Sequence, residues 1–347
     1  MSHNAPNMED STPNTNPQQT TPDPIPKGSR SFRASVDTSV LQQDPEMWKR
    51  ARLFIRNITS RYTNYANQPI DIFKRDLHNL WYLFIGAAKV TPTDEAAADR
   101  LAVQVLVARE MGLLGRLEGP GTERQVAHMS EAASGAPSRM WVDLPFLVTD
   151  LREAWREAMV GSSPMPSDQL VNLAGFTARL VAFGVCEAEL SQCGLLLLRE
   201  ALETPRPVLQ DDDVSDNDDI PLSHFMPALL AWLRHGSYKL FGLCARGHAS
   251  ASSTDDAESP EDRWVTAGPL LSTSSPEHGE RLSGFSMTRW EFWKQRLDEV
   301  AGDHGALEKS VQGQAKHCFG FLDSWERITG GEGHDRETAR KAYFYVE

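Results

Sequence analysis

Little in this 347-residue chain lends itself to covalent or metal chemistry. Its four cysteines, Cys186, Cys193, Cys244 and Cys318, are widely spaced, and neither a disulfide framework nor a zinc ribbon can be laid over them. That usage fits a reducing, intracellular compartment, cytoplasmic or nuclear. Long apolar runs are missing too. Leu80 to Ala88 is typical of the longest, far from the roughly 20 residues that span a bilayer, so no membrane segment is expected. The first thirty residues have no apolar h-region, so no secretory leader is expected. Positive charge is scarce: 35 Lys and Arg against 48 Asp and Glu leave a net charge of −13, which argues against nucleic acid or anionic lipid as a partner.

The strings that usually carry catalysis are absent as well. No two of the ten histidines lie within four residues of each other, and no Glu-x-x-His occurs, which removes helical zinc pairs and the di-iron signature of bundles. No metal or cofactor is expected. Gly119-Pro120-Gly121 and Gly330-Gly331-Glu332-Gly333 lack the Gly-Lys-Ser/Thr element of a phosphate loop, so they read as turns. Starting from Asp213, an EF-hand would need Gly at the sixth position and Glu at the twelfth, where Asp218 and His224 stand, so an EF-hand is rejected and at most weak, diffuse cation attraction is expected. Cys186 and Cys193 read as small hydrophobes, Cys244 and His248 as a pair separated by the helix-ending Gly247, and the neighbours His317 and Cys318 point about 100° apart on a helix.

What the chain does have is helical periodicity between polar segments. Residues 1–43 are dominated by Pro, Ser, Thr, Asn and Gln with Phe32 as the only aromatic. Such a stretch cannot offset the entropy of ordering it and is expected to be a disordered tail. Two acidic, flexible loops are expected at 204–220 and 245–284, and a second tail at 329–347. The loops carry −5 and −4 of the net charge, so the body between them is nearly balanced.

Within that body, residues 44–328 read as one helical domain. Trp48, Ala51, Ile55, Ile58, Tyr62 and Tyr65 form one stripe, opened by Asp44 as cap and Pro45 at the first position. Ile70, Phe73, Leu77, Leu80 and Phe84 form a second. Thr91-Pro92-Thr93-Asp94 resembles a capping box ahead of Leu101, Val105 and Ala108. Further helices are expected over 145–160, from a Ser167 cap through Leu170 to Cys186, from Leu190 to about Glu203, through Phe225 to Phe241 as one helix or a pair broken at Gly236, over 287–300 and over 307–328. Without sustained period-2 alternation, the class is all-α, an irregular bundle of eight to ten helices.

The most distinctive string is Gly284-Phe285-Ser286-Met287-Thr288-Arg289-Trp290-Glu291-Phe292-Trp293. Ser286 reads as a helix cap, Phe285 as one half of a hydrophobic staple with Trp290, and Trp290 with Trp293 as a pair stacked on one face. With Gly268-Pro269-Leu270 and the Leu-rich helix that ends in Glu203-Thr204-Pro205-Arg206, this string resembles the fungal family catalogued as domain of unknown function 3632. The resemblance covers about residues 44–328. It implies an all-helical fungal protein and brings no activity, cofactor or catalytic residue with it.

Two functions from different classes compete. The leading one is a non-catalytic helical interaction module that takes another protein or a peptide, with Trp264, Phe285, Arg289, Trp290 and Trp293 as candidate contact residues. Most of the nine tryptophans fall in phase with apolar stripes, so core packing is their default. Trp264 sits in a polar loop, where it either docks that loop or awaits a partner. The alternative is an enzyme or small-ligand binder with a pocket inside the bundle, for which Arg289, Glu291, His317 and Glu187 are the candidates. Each has a plainer reading: surface charges for Arg289, Glu291 and Glu187, and a hydrogen-bonded interface residue for His317. A transcription-associated role for the acidic loops rests on composition alone.

Overall fold

A computed structural model describes residues 44, 46–65, 68–117, 123–130, 137–160, 165–207, 220–248, 264–274, 283–302 and 309–330. The expected tail at 1–43, Pro45, the aspartates at 211–219, both glycine turns' Gly119–Gly121 and Gly331–Gly333, and the chain beyond 330 lie outside the described residues.

The first three helices are α1 (Met47–Asn64), α2 (Ile70–Val90) and α3 (Ala96–Arg109). The stripe of α1 buries Met47, Ala51, Ile55, Ile58 and Tyr62, which recur at three- and four-residue steps and so share one face. Trp48 is half-buried at the flank of that stripe beneath Arg100, and Tyr65 is exposed past the helix end. α2 is buried almost all round from Leu77 to Ala88, the pattern of a helix enclosed by neighbours.

The expected caps here are corrected. α1 starts three residues after Asp44, whose Oδ1 accepts a bond from the Glu46 backbone N–H. The Thr91–Asp94 box does not form: α3 begins at Ala96 after Glu95, without a side-chain cap. Thr93 is used for tertiary contacts instead. Its N–H donates to Asn172 Oδ1 at 3.0 Å, and its Oγ1 accepts from Arg179 Nη1 at 2.8 Å.

Two short antiparallel pairs follow, β1 (Arg116–Leu117) with β2 (Arg124–Gln125) and β3 (His128–Ser130) with β4 (Pro137–Arg139). They leave the all-α class unchanged. From β4 the chain runs through a tight segment into α4 (Leu147–Val160). α5 (Ser167–Ala182) follows Pro166. Ser167 is its first residue and not its cap, because its hydroxyl donates to the His224 carbonyl. α6 (Glu187–Leu198) continues into a π turn over Arg199–Glu203. Cys186, at the head of α6, takes a left-handed φ of 42° and lies outside the helix.

α7 (Leu222–Ala245) is one continuous helix that passes Gly236 unbroken, and Gly247 at φ 59° closes it. The stretch expected as a loop at 245–284 contains a short helix, α8 (Pro269–Ser274), and a bridge from Thr266 to Ser283. α9 (Met287–Gly302) and α10 (Lys309–Gly330) complete the chain. That makes ten α-helices among the described residues.

α5 and α7 pack together; α2 and α3 pack on α5, α1 on α2 and α3, α4 on α2 and α6, and α9 and α10 pack on α7 and on each other. One continuous core extends from Met47 to Leu322. Close approach at its centre requires glycine: a Cβ on Gly194 of α6 would meet the Trp232 indole at 2.3 Å. Trp81, Trp141, Trp155, Trp232, Trp290 and Trp293 are all fully buried. Most indole N–H groups find acceptors across elements, as Trp81 does at Pro145 O and Trp155 at Thr177 Oγ1, the arrangement that removes the cost of burying a donor.

Candidate functional site

The distinctive C-terminal string folds into a buried ionic knot. Ser286 caps α9, its Oγ accepting from the Arg289 N–H at 3.3 Å. One turn in, Arg289 points into the core and is 0% exposed, as is Glu203 at the end of the π turn. Arg289 Nε and Nη2 donate to the two Glu203 oxygens at 2.8 and 2.9 Å, a bidentate pair. Glu203 Oε1 also accepts from Trp293 Nε1 at 2.7 Å, and Oε2 from the Gly268 N–H at 2.7 Å. Arg289 Nη1 donates to the carbonyls of Val265 and Gly284, both at 2.8 Å.

All three strings behind the family resemblance therefore meet at one carboxylate. Gly268 is required there, because a Cβ would lie 2.6 Å from the Glu203 Cβ and its carbonyl oxygen. Neither charge is left with an unused face. The bidentate geometry and the extra donors offset the desolvation of both ions, and what they produce is fixation of α6, the 265–268 segment and α9 relative to one another.

The other sequence candidates fall around this knot. Trp264 is buried at 5% exposure, with the Arg152 guanidinium over its ring at 5.0 Å, so it docks its segment onto α4. Phe285 is buried with its ring beside His248. The ring partners of Trp290 are Phe241 and Trp293, the latter edge-on at 6.4 Å, so the indoles share a face without stacking.

Of the four pocket candidates, the structure brings none together. The reading of Arg289 as a surface charge is overturned by its full burial against Glu203. Glu187 pairs with Lys239 at 2.6 Å, Glu291 lies on the outer side of α9 near Lys294, and His317 is exposed on α10, where an interface role was expected. Burial by its surroundings, together with Glu326, holds the Glu291 carboxyl above the usual range, against the opposing pull of Lys294.

A second buried pair was missed by sequence reasoning. His78 of α2 and Asp150 of α4 are 7% and 2% exposed, and both carboxylate oxygens lie within hydrogen-bond distance of His78 Nδ1, at 3.0 and 2.9 Å. The Phe146 ring lies against the imidazole at 4.3 Å and the Tyr82 ring is stacked at 6.1 Å. Phe146 is held there by an unusual backbone. Trp141, Leu144 and Phe146 have φ of 64°, 47° and 67°, left-handed conformations that cost side-chain-bearing residues on the order of 1–3 kcal/mol each. The signal available in the sequence was a His between Leu77 and Trp81, and an Asp between Leu147 and Leu151, each inside an apolar stripe.

Three of the four thiols are sealed. Burial pushes Cys193 and Cys244 up to about 12 and Cys318 further still, so each is a protonated, unreactive core side chain at neutral pH. Among the described residues, no three His, Cys, Asp or Glu side chains converge on a point that could hold a metal, and no helix is long and apolar enough to cross a membrane.

Known proteins add a family to this picture. The family described as "Protein of unknown function (DUF3632)" matches residues 81–297, a span that contains Glu203, Gly268, Arg289 and Trp293. A relative named "Oxopyrrolidines biosynthesis cluster protein G", from Penicillium oxalicum, is 28% identical over 312 residues, which cover 85% of this chain and 79% of that protein. No solved structure matches the chain. With the matched span exceeding half its length, the chain belongs to the DUF3632 family.

Proposed function

We propose that the protein is a non-catalytic helical interaction module that takes another protein or a peptide. The observation that carries this reading is where its apolar side chains are exposed. Leu53, Phe54, Tyr65, Val103, Val107, Leu113 and Val126 all stand 36–62% exposed, on α1, α3 and the connections after them. Outside that third of the chain, Phe183 is the one other large exposed apolar side chain among the described residues. Scattered single hydrophobics need no explanation, whereas a concentration of them is the usual mark of an interaction surface. The Trp-rich string, by contrast, is used up in the core around Glu203.

The name of the Penicillium relative places it with a biosynthesis cluster, which supports looking for the partner among proteins encoded alongside the present chain. Purification of the tagged chain from its native cells at low salt tests the proposal, in parallel with a Leu53→Asp/Val107→Asp variant. A stoichiometric companion chain that the variant loses is the expected result. A solitary monomer from native cells, or a companion indifferent to the variant, overturns it.

A further inference from the structure

We infer that the outer face shared by α1 and α3 takes an acidic amphipathic helix of another protein, one with apolar side chains along a stripe and carboxylates beside them. The inference rests on the interaction reading above and names the chemistry of the partner.

It starts from charge. The chain is acidic overall, at −13, yet α1 holds five Lys and Arg and no carboxylate within its 18 residues. Three of those cations are engaged, Lys49 with Glu46, Arg50 with Asp44 and Arg61 with Asp76. The other two, Arg52 and Arg56, are exposed, and the acids nearest to them along the chain are already taken by Lys49 and Arg50. On α3, Arg100 is exposed as well, while Asp99 beside it pairs with Arg179 and Glu110 with Arg109.

The packing of the two helices sets these arginines next to apolar surface. The Arg100 guanidinium lies over the Trp48 ring at 5.6 Å, and the Thr59 hydroxyl donates to the Met111 sulfur at 3.6 Å. Both contacts have the same sequence offset, 52 residues, so α1 and α3 run side by side in the same direction. Trp48 and Thr59 mark the side of α1 turned to α3. Next round the helix toward solvent come Arg52 and Arg56, with Leu53 beyond them. Val103 and Val107 stand one turn apart on the outer side of α3, level with Arg52 and Arg56 to within about one residue. Leu53, Val103 and Val107 are 62%, 36% and 44% exposed, so the face is open to solvent along its length.

An acidic amphipathic helix matches both features. Its stripe takes the three apolar side chains out of water, and carboxylates one turn apart meet guanidinium groups one turn apart. A membrane surface or a nucleic-acid duplex is a poorer match. Exposed acids border the face, Glu46 at the head of α1 and Asp99 with Glu110 on the far flank of α3. A broad array of phosphates would press against them, whereas a rod about 10 Å wide fits inside that border.

The test uses the full chain and the fluorescence anisotropy of a labelled peptide of about 18 residues, long enough to form a helix, with Leu on one helical face and Glu flanking it. A scramble of the same composition, a twin with Lys in place of Glu, phosphatidylserine vesicles and a DNA duplex are measured alongside. The Glu peptide should bind saturably and at least about tenfold more tightly than its scramble or its Lys twin. Arg52→Glu/Arg56→Glu should weaken it by about tenfold or more, and Arg52→Gln/Arg56→Gln by less. Failure of the Glu peptide to bind overturns the proposal, as does a scramble that binds equally well or binding indifferent to both variants. Vesicles or duplex that bind in its place, and lose that binding in the variants, overturn it in favour of a different class of partner. Thermal melting checks that the variants fold; where one does not, the other variant and the wild-type peptide comparison decide. A companion chain from native cells that Leu53→Asp/Val107→Asp loses and Arg52→Glu/Arg56→Glu keeps would leave the interaction reading standing and overturn this one.

Discussion

Two buried side-chain pairs among the described residues, Glu203 with Arg289 and His78 with Asp150, differ in how much of each pair is engaged. Glu203 and Arg289 have every facing atom used: two oxygens accept four bonds, and the guanidinium spans two carbonyls as well. The His78–Asp150 contact is made through Nδ1 of the imidazole alone. A saturated pair can do nothing but hold its neighbours in place. The first belongs to the string that marks the family, so what that string marks is architecture.

Breaking the saturated pair should have the largest effect. Arg289→Met leaves Glu203 buried without its counter-ion and should cost about 3–5 kcal/mol, read as the shift in urea midpoint. A Glu203→Gln/Arg289→Met double variant should recover part of that loss, because no lone charge remains buried. Trp290→Ala, which empties a fully buried site, belongs in the same range of about 3–5 kcal/mol. Equal midpoints for wild type and Arg289→Met would mean the knot is idle. Gly268→Ala should come next, at about 1–3 kcal/mol, since its new methyl would press on backbone that cannot yield. Asp150→Asn should be the mildest, at about 1 kcal/mol, because an amide oxygen can still accept from Nδ1. A loss as large as that of Arg289→Met would erase the distinction between the two pairs.

Local patterns were legible and partnerships were not. The stripes of α2 and α9, that of α1 from Ala51 to Tyr62, and the Ser286 cap follow from spacing within one turn or two, and the structure has them where the spacing puts them. Arg289 reads as a surface charge because its partner lies 86 residues earlier. Its one local clue is that it stands a turn before Trp293, on the same stripe. Thr93 failed as a cap for the same kind of reason: Arg179 and Asn172 of α5 compete for it and win. Phe146 could not be read at all, since nothing in Trp141 to Phe146 announces left-handed backbone in residues that disfavour it. Trp264, Phe285, Trp290 and Trp293 suggest contact residues only by size and aromaticity, properties that serve a core as well as a surface, and all four are buried.

The π turn at Arg199–Glu203 has a consequence for how this protein can change over time. Its wider coil sets the angle at which the final carboxylate enters the core, and in any helix each inserted or removed residue swings the downstream side chains by about 100°. Shortening the segment by one position ahead of Glu203 would rotate Glu203 away from its arginine while leaving both partners unchanged in identity. Selection on this stretch should therefore act on its length before its letters.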